Sequence, residues 1–565
     1  MIKYRIFIRF VQYILPIFLL AGYIHSAPPR DRGYLKKLPP GFKTDWVLTS
    51  KQIAKMQAKG TIRKAGQKAI GTAQTYKILV IRVDFPDAGY QMTKTQAQAE
   101  PFFSSLRGYY YENSYGLVTV TATITTRVVG GNAGASGAYR LSSISNYNNE
   151  TEADLQTLIT DASNAATVDY NFALYDQVMI YHAGTGQEES KTDADLWSLF
   201  YSFPYTVDGK AFVGFTVVPE KSPTATNSPL GTICHEYGHQ LGLPDLYDAT
   251  ITRDSTCGTW SLMDYAYGFD NTGNNPPHLD PWSKNYLNWI DLSARNINSV
   301  TPGAKLGDTE TSQTTGYYKI PVEVGTSNEY FIIEYRRPDS AKMNYDLTQP
   351  STGVIIWHID DTIAMNPARL EENSVNSGTP NYGVDLVEAD GLDRLQDTTL
   401  PPAKIGDMWR AGNTFSDPLS NAFNGRSTGV AISNFVFSAD GAAFSITKLA
   451  AASVLSLSKA LNYPNPAGEG YPAKPGFLTT IVGQFTRPPK DMTLSIYNLP
   501  GELVKTAAGI ACFTLNIRAS ADNKWVYEFD WDGKNNFNED VAPGVYFYRI
   551  KADTEIKVGK LAIVR

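Results

Sequence analysis

Residues 234–248 read CHEYGHQLGLPDLYD, and the rest of the chain is best approached from this stretch. It holds two of the six histidines in the sequence, His235 and His239, four positions apart, with Glu236 beside the first. On a helix, residues i and i+4 lie on one face, one turn apart, so both imidazoles can reach a single ion. Glu236 projects about 100° away around the helix, where it can act on a water without being a ligand. The plainer alternative is an amphipathic helix that carries two histidines for packing.

A catalytic zinc needs three protein ligands and one open position. The helix supplies two. Gly242 can adopt a left-handed conformation, end the helix and turn the chain back. Pro244 stiffens the segment after the turn, and Asp245 is then positioned to deliver an oxygen to the same metal. With only six histidines in 565 residues, this spacing around a glutamate seldom arises by chance, and the glycine and aspartate at set offsets make it rarer still.

The extended motif resembles the metzincin clan of zinc peptidases, whose usual third ligand is histidine. Aspartate in that place is the form found in the immune inhibitor A family of secreted bacterial metallopeptidases. Other segments look like that family too: YYYENSYGLVTVTATI (109–124), HAGTGQEES (182–190), GTWSLMDYAYG (258–268), PHLDPWSKNYLNWI (277–290) and EYFIIEYRRPDS (329–340). The resemblance runs from about residue 75 to 440. It implies a metzincin-like catalytic domain with Zn2+ held by His235, His239 and Asp245, and Glu236 as the general base. It also implies a Met-turn, for which Met263 in SLMDY fits. Tyr265 matches a position where other branches of the clan carry a tyrosine that swings toward the metal, and is a candidate to stabilise the oxyanion. Members of the family often bind Ca2+; Glu188, Glu189, Asp193 and Asp195 are acidic candidates, without the spacing of an EF-hand loop.

Working outward, TYKILVIRVDFPD (75–87) reads as a strand buried on both faces. LVTVTATITTRVV (117–129) alternates as a half-buried strand does, and YDQVMIYHAGTG (175–186) is an apolar strand ending in a Gly-rich turn. His182, at that strand's end, reads as a packed histidine or as the border of a substrate cleft. TEADLQTLITDASNAA (151–166) has helical spacing, with Thr151 as a cap. Beyond about residue 300 short strands dominate, separated by Gly, Asp, Asn and Pro. LNYPNPAGEGYPAKPG (461–476) is rich in Pro and Gly and reads as a boundary.

The expected fold is therefore α+β. A signal peptide occupies 1–26, a propeptide 27–70, the zinc peptidase catalytic domain 71–300, a β-rich domain of the peptidase unit 301–450, a linker 451–476, and a C-terminal module 477–565. MTLSIYNLPGELV, KWVYEFDWDGKN and APGVYFYRIKA give that module the pattern of a β-sandwich. It resembles the Ig-like domains at the C-terminus of many exported bacterial proteins, including type IX sorting domains, which implies contact with export machinery or the cell surface; the plainer alternative is an accessory β-sandwich with no sorting role.

The signal peptide rests on Lys3, Arg5 and Arg9 ahead of the apolar FVQYILPIFLLAGYI, with small residues at Ser26 and Ala27. That stretch is short for a span and contains Pro16, so the mature chain is read as having no membrane span and as secreted or surface-held. Fifty basic against 56 acidic residues leave a net charge of −6, which excludes electrostatic targeting to nucleic acid. The three cysteines, Cys234, Cys257 and Cys512, leave at least one unpaired; Cys234 and Cys257 flank the motif and either pair or pack as small buried residues. No cysteine precedes Cys234, so a thiolate latch from the propeptide is excluded.

Two functions compete, beside a weaker third, a non-peptidase zinc hydrolase, which the histidine helix alone would allow and the flanking segments disfavour. One is an exported zinc endopeptidase made as a zymogen, acting on protein or peptide substrates. The other is a silent surface adhesion or glycan-binding protein that uses the peptidase-like domain as scaffold. A scaffold is free to lose any of His235, Glu236, His239 and Asp245, and all four are present.

Overall fold

The computed structural model describes residues 23–26 and 70–564, apart from 129–135, 148–150, 249–255, 323–327, 342–343, 378–380, 393–394, 396–404, 426, 449–456, 469–473, 487 and 516–524. The segments read as signal peptide and propeptide lie outside the described residues, except for the backbone of 23–26 and residue 70. The architecture is α+β, with several sheets and few long helices.

The first sheet is built from β1 (Tyr23–Ser26), β2 (Gln74–Asp84), β3 (Val118–Ile124), β4 (Tyr139–Arg140), β5 (Gln177–His182), β6 (Leu199–Ser202) and, after a small hairpin of β7 (Tyr205–Val207) and β8 (Lys210–Phe212), β9 (Phe215–Pro219). Its order is β1-β6-β9-β5-β2-β3, with β4 also on β2. β2, β3, β5 and β9 run parallel; β6 runs antiparallel to β9 and carries β1 antiparallel on its other edge. Residues 78–84 of β2 are all buried, as a parallel strand covered on both faces requires. Alternate side chains divide: Ile78 and Val80 join the central core, while Leu79, Ile81 and Val83 join a second core on the opposite face.

Three helices cover this sheet: α1 (Gln96–Asn113), α2 (Glu152–Ala166) and α3 (Leu230–Gln240). α2 is capped as expected, with Thr151 accepting from the Asp154 N–H. α1 is not anticipated by the sequence pattern, since Pro101 lies inside it. Packing overrides propensity there: Phe103, Leu106, Tyr109 and Tyr110 are buried in the central core, and Thr95 with Gln98 forms a capping box.

Beyond residue 300 come a three-stranded sheet of β10 (Thr301–Leu306), β15 (Val430–Ser438) and β16 (Gly441–Lys448), and a four-stranded antiparallel sheet of β11 (Tyr317–Pro321), β12 (Glu329–Arg336), β13 (Gly353–Asp360) and β14 (Val384–Leu386). The four-stranded sheet is buried on both sides. Tyr330 and Ile332 of β12 enter the central core that holds α1 and α3, whereas Phe331, Ile333 and Tyr335 pack toward β15 and β16. The central apolar core therefore continues without a break across residue 300.

The C-terminal unit pairs two antiparallel four-stranded sheets around its own apolar cluster. One contains β17 (Leu457–Tyr463), β18 (Thr479–Phe485), β21 (Thr514–Leu515) and β22 (Trp525–Trp531); the other contains β19 (Met492–Tyr497), β20 (Leu503–Ala508), β23 (Gly544–Ala552) and β24 (Glu555–Ile563). β17 falls within the stretch 451–476 read as a linker. It pairs with β18 along its length, so this unit begins ahead of its Pro/Gly-rich segment. Among the described residues no helix is long and apolar enough to cross a membrane.

Candidate metal centre

α3 is buried at all eleven of its positions, packed on β6 and β9 of the first sheet and against α1 in the central core. Polar contacts fix its rotation. Tyr237 donates to Gln177 Oε1 on β5 (2.8 Å), Thr216 on β9 donates to Gln240 Oε1 (2.8 Å), and Tyr110 on α1 donates to the Cys234 carbonyl (2.6 Å). The helix ends where the sequence places its stop. Gly242 has φ +107°, and the Leu243 N–H turns back to the Gly238 carbonyl (3.1 Å).

That turn brings Asp245 onto the histidines. Asp245 Oδ1 lies 3.0 Å from His235 Nε2 and 3.2 Å from His239 Nε2, and the two Nε2 atoms are 3.1 Å apart. His235 Nδ1 donates to the Leu262 carbonyl (2.9 Å) and His239 Nδ1 to the Leu243 carbonyl (2.8 Å). With the ring proton held on Nδ1, each Nε2 presents a lone pair to the common point. Burial holds the His239 imidazole below its ordinary pKa, which favours the neutral, ligating form. Two lone-pair nitrogens and a carboxylate oxygen this close repel one another unless a cation sits among them. A nitrogen–nitrogen–oxygen set of this kind suits zinc. Among the described residues it is the one group of three such side chains with ligand atoms within 4.8 Å of one another. Glu236 is fully buried on the same helix.

Met263 is buried, its carbonyl accepts the Leu246 N–H (2.9 Å), and its sulfur lies beside Gly238 between the two histidines. The turn around it is held from inside: Asp264 Oδ2 accepts the backbone N–H groups of Cys257 (2.6 Å), Gly258 (2.7 Å) and Thr256 (3.2 Å). Arg336 on β12, fully buried, donates to the carbonyls of Trp260 (3.1 Å) and Leu279 (3.4 Å). The Tyr265 hydroxyl donates to Asn271 Oδ1 (2.7 Å).

The remaining candidates are dispersed. His182 is fully buried with Nδ1 on the Ala183 carbonyl (2.9 Å). Glu188 accepts from Ser198, Glu189 from Ser222, and Asp195 from Tyr90 and Thr185. Cys234 and Cys257 are both buried free thiols, which settles the pairing left open by the sequence. Two residues at the centre have no counterpart in the sequence motifs. Asn373 accepts the Asp245 N–H (2.7 Å) and donates to Asp245 Oδ2, and Asn376 donates to the Leu246 carbonyl (2.8 Å). They lie more than 120 residues downstream in a polar loop without periodic or motif signal.

Comparison with known proteins adds the lineage. Residues 176–290 match the immune inhibitor A peptidase M6 catalytic domain. Immune inhibitor A of Bacillus thuringiensis subsp. alesti is 26% identical over 315 residues, covering 43% of this chain and 45% of that protein. Pre-pro-metalloprotease PrtV of Vibrio cholerae serotype O1 is 25% identical over 361 residues, covering 48% of this chain and 37% of that protein. The chain thus spans less than half the length of these curated relatives. Among solved structures, PorZ, a surface component of the type-IX secretion system of Porphyromonas gingivalis, is 12% identical with a TM-score of 0.20, covering 45% of this chain and 39% of that one, too loose a likeness to carry an argument. The segment that carries the two histidines and their aspartate thus matches the immune inhibitor A-like metallopeptidase family.

Proposed function

We propose that this protein is an exported zinc-dependent endopeptidase that hydrolyses peptide bonds in protein substrates. The observation that carries the reading is the convergence of His235, His239 and Asp245 within 4.8 Å, buried, with Glu236 on the same helix. Zinc held there would supply Lewis acidity, polarising the scissile carbonyl and acidifying a water. Glu236 takes the proton from the attacking water and passes it to the leaving amine. With their Nδ1 protons donated to backbone carbonyls, the two imidazoles turn Nε2 toward the common point. Tyr265 reaches a developing oxyanion only by giving up its bond to Asn271.

In this reading residues 71–300 form a metzincin-like catalytic domain with Met263 as its Met-turn, and 301–450 complete the peptidase unit. The paired sheets at the C-terminus form an Ig-like module for export or surface attachment, and the stretches 1–26 and 27–70 are signal peptide and propeptide. The protein acts outside the cell or at its surface.

The test is digestion of casein by purified mature protein with and without a chelator, beside Glu236→Ala. Chelation is expected to abolish hydrolysis reversibly, and Glu236→Ala to lower the rate at least ~100-fold while zinc stays bound. Equal inertness of wild type and variant after propeptide removal refutes the proposal and favours a scaffold.

A further inference from the structure

We infer that Asn373 is a positioning residue that presents Asp245 as the third metal ligand, so that the metal centre is completed by chain beyond residue 300. The inference rests on the metallopeptidase reading of the site. The Asn373 side chain meets Asp245 at two points, accepting its backbone N–H (2.7 Å) and donating to its Oδ2. Two such bonds to one residue fix both its backbone and its carboxylate plane. They engage Oδ2 and leave Oδ1 facing the two Nε2 atoms at 3.0 and 3.2 Å. The task needs an acceptor and a donor on one short side chain, which an amide supplies. A carboxylate at 373 would face Asp245 with like charge, and an ammonium would offer no acceptor.

The clamp is itself anchored. Asn373 is 1% exposed and has φ +50°, a left-handed backbone that Asn tolerates better than most residues. It comes just after the short helix Pro367–Glu371, with its N–H toward the Leu370 carbonyl (3.4 Å), and Arg369 donates to the Ser374 (2.7 Å) and Ser377 (2.9 Å) carbonyls around it. Three residues on, Asn376 donates to the Leu246 (2.8 Å) and Val384 (2.7 Å) carbonyls and accepts from the Gly383 (2.9 Å) and Val384 (3.0 Å) N–H groups. One polar strap thus ties the ligand loop to β14. Asp245 sits beyond a glycine turn, and the strap reaches it from more than 120 residues downstream.

The test is zinc affinity of the full chain, measured by competition with a chromophoric chelator, for wild type, Asn373→Gly, Asn373→Asp, Asp245→Ala and the double variant Asn373→Gly/Asp245→Ala. Loss of a group that orients a metal ligand typically costs ~10–100-fold in affinity, and Asn373→Gly and Asn373→Asp are expected to fall in that range, measured at a temperature where circular dichroism shows each metal-free variant folded. In the Asp245→Ala background, Asn373→Gly is expected to cause no further loss, because its partner is gone. Wild-type affinity in either single variant, or a fully additive loss in the double variant, overturns the assignment. Should Asn373→Gly fail to fold, Asn373→Asp, which keeps the size and the tolerance of positive φ, decides. A wild-type chain that binds no zinc refutes the metal reading itself, and the positioning role falls with it.

Discussion

A Cβ built on Gly238 would lie 2.8 Å from Met263 Sδ. Gly238 is the residue before His239 on α3, so the methionine sulfur occupies the space that a side chain at 238 would need. Tyr110 Oη, at 3.1 Å from the same point, closes the other side. Gly238→Ala is therefore expected to destabilise the fold by ~1–3 kcal/mol through overpacking. Met263→Ala should relieve part of that, so urea unfolding of the double variant should show less than the summed loss. Simple additivity would mean that the two residues do not share this space.

Glu188 gives a pH dependence. Burial, with a smaller contribution from Glu189, pushes its carboxyl up from 4.5 to about 7. Between those values the folded chain keeps a proton that the unfolded chain has released. The Glu188 contribution to stability therefore falls as pH rises through that window and stays low above it. Glu188→Gln removes the titration. Its stability relative to wild type is expected to improve by about 3 kcal/mol between the two ends of the window. Parallel stability curves for the two proteins would contradict this.

The thiols should separate by burial. Cys234 and Cys257 are buried, burial pushes both thiols well above their ordinary pKa, and Cys512 is exposed. A chromogenic disulfide reagent should titrate one thiol promptly in the native protein and all three after unfolding. Reductant should leave the melting temperature unchanged. A count of one after unfolding, rising to three on reduction, would show that Cys234 and Cys257 had paired.

Truncation should expose where the cores divide. Tyr330, Ile332, Ile355, Trp357 and Ile359 lie in the same apolar core as α1 and α3. At ~2 kcal/mol each they account for roughly 10 kcal/mol, comparable with the whole stability of a typical domain. A chain ending at Val300 is expected to show no cooperative melt and no tight zinc binding. A chain ending at Lys448 keeps the central core intact, since the C-terminal unit has its own apolar cluster, and should retain both. Zinc binding by the shorter chain would refute this.

Much of this arrangement is legible in sequence because its signals are local. The His235/Glu236/His239 spacing follows from helical periodicity, the turn from Gly242, and β2 from a run of Ile and Val. α1 is hidden because Pro101 and three adjacent tyrosines speak against a helix, and only burial of Phe103, Leu106 and the tyrosines makes it one. β17 is hidden by the Pro/Gly-rich composition next to it, and is a strand because β18 offers it a partner edge.

By itself, then, the sequence determined the spacing of His235, Glu236 and His239 and where their helix must stop, since spacing within one helix and one turn is a property of adjacent residues. Tertiary structure alone decided which Asp245 oxygen faces the histidines, where the Met263 sulfur lies, and that Cys234 and Cys257 remain free. Those outcomes depend on partners such as Asn373, Arg336 and the β12–β13 face of the core, which approach from distant parts of the chain and become neighbours only when the core closes.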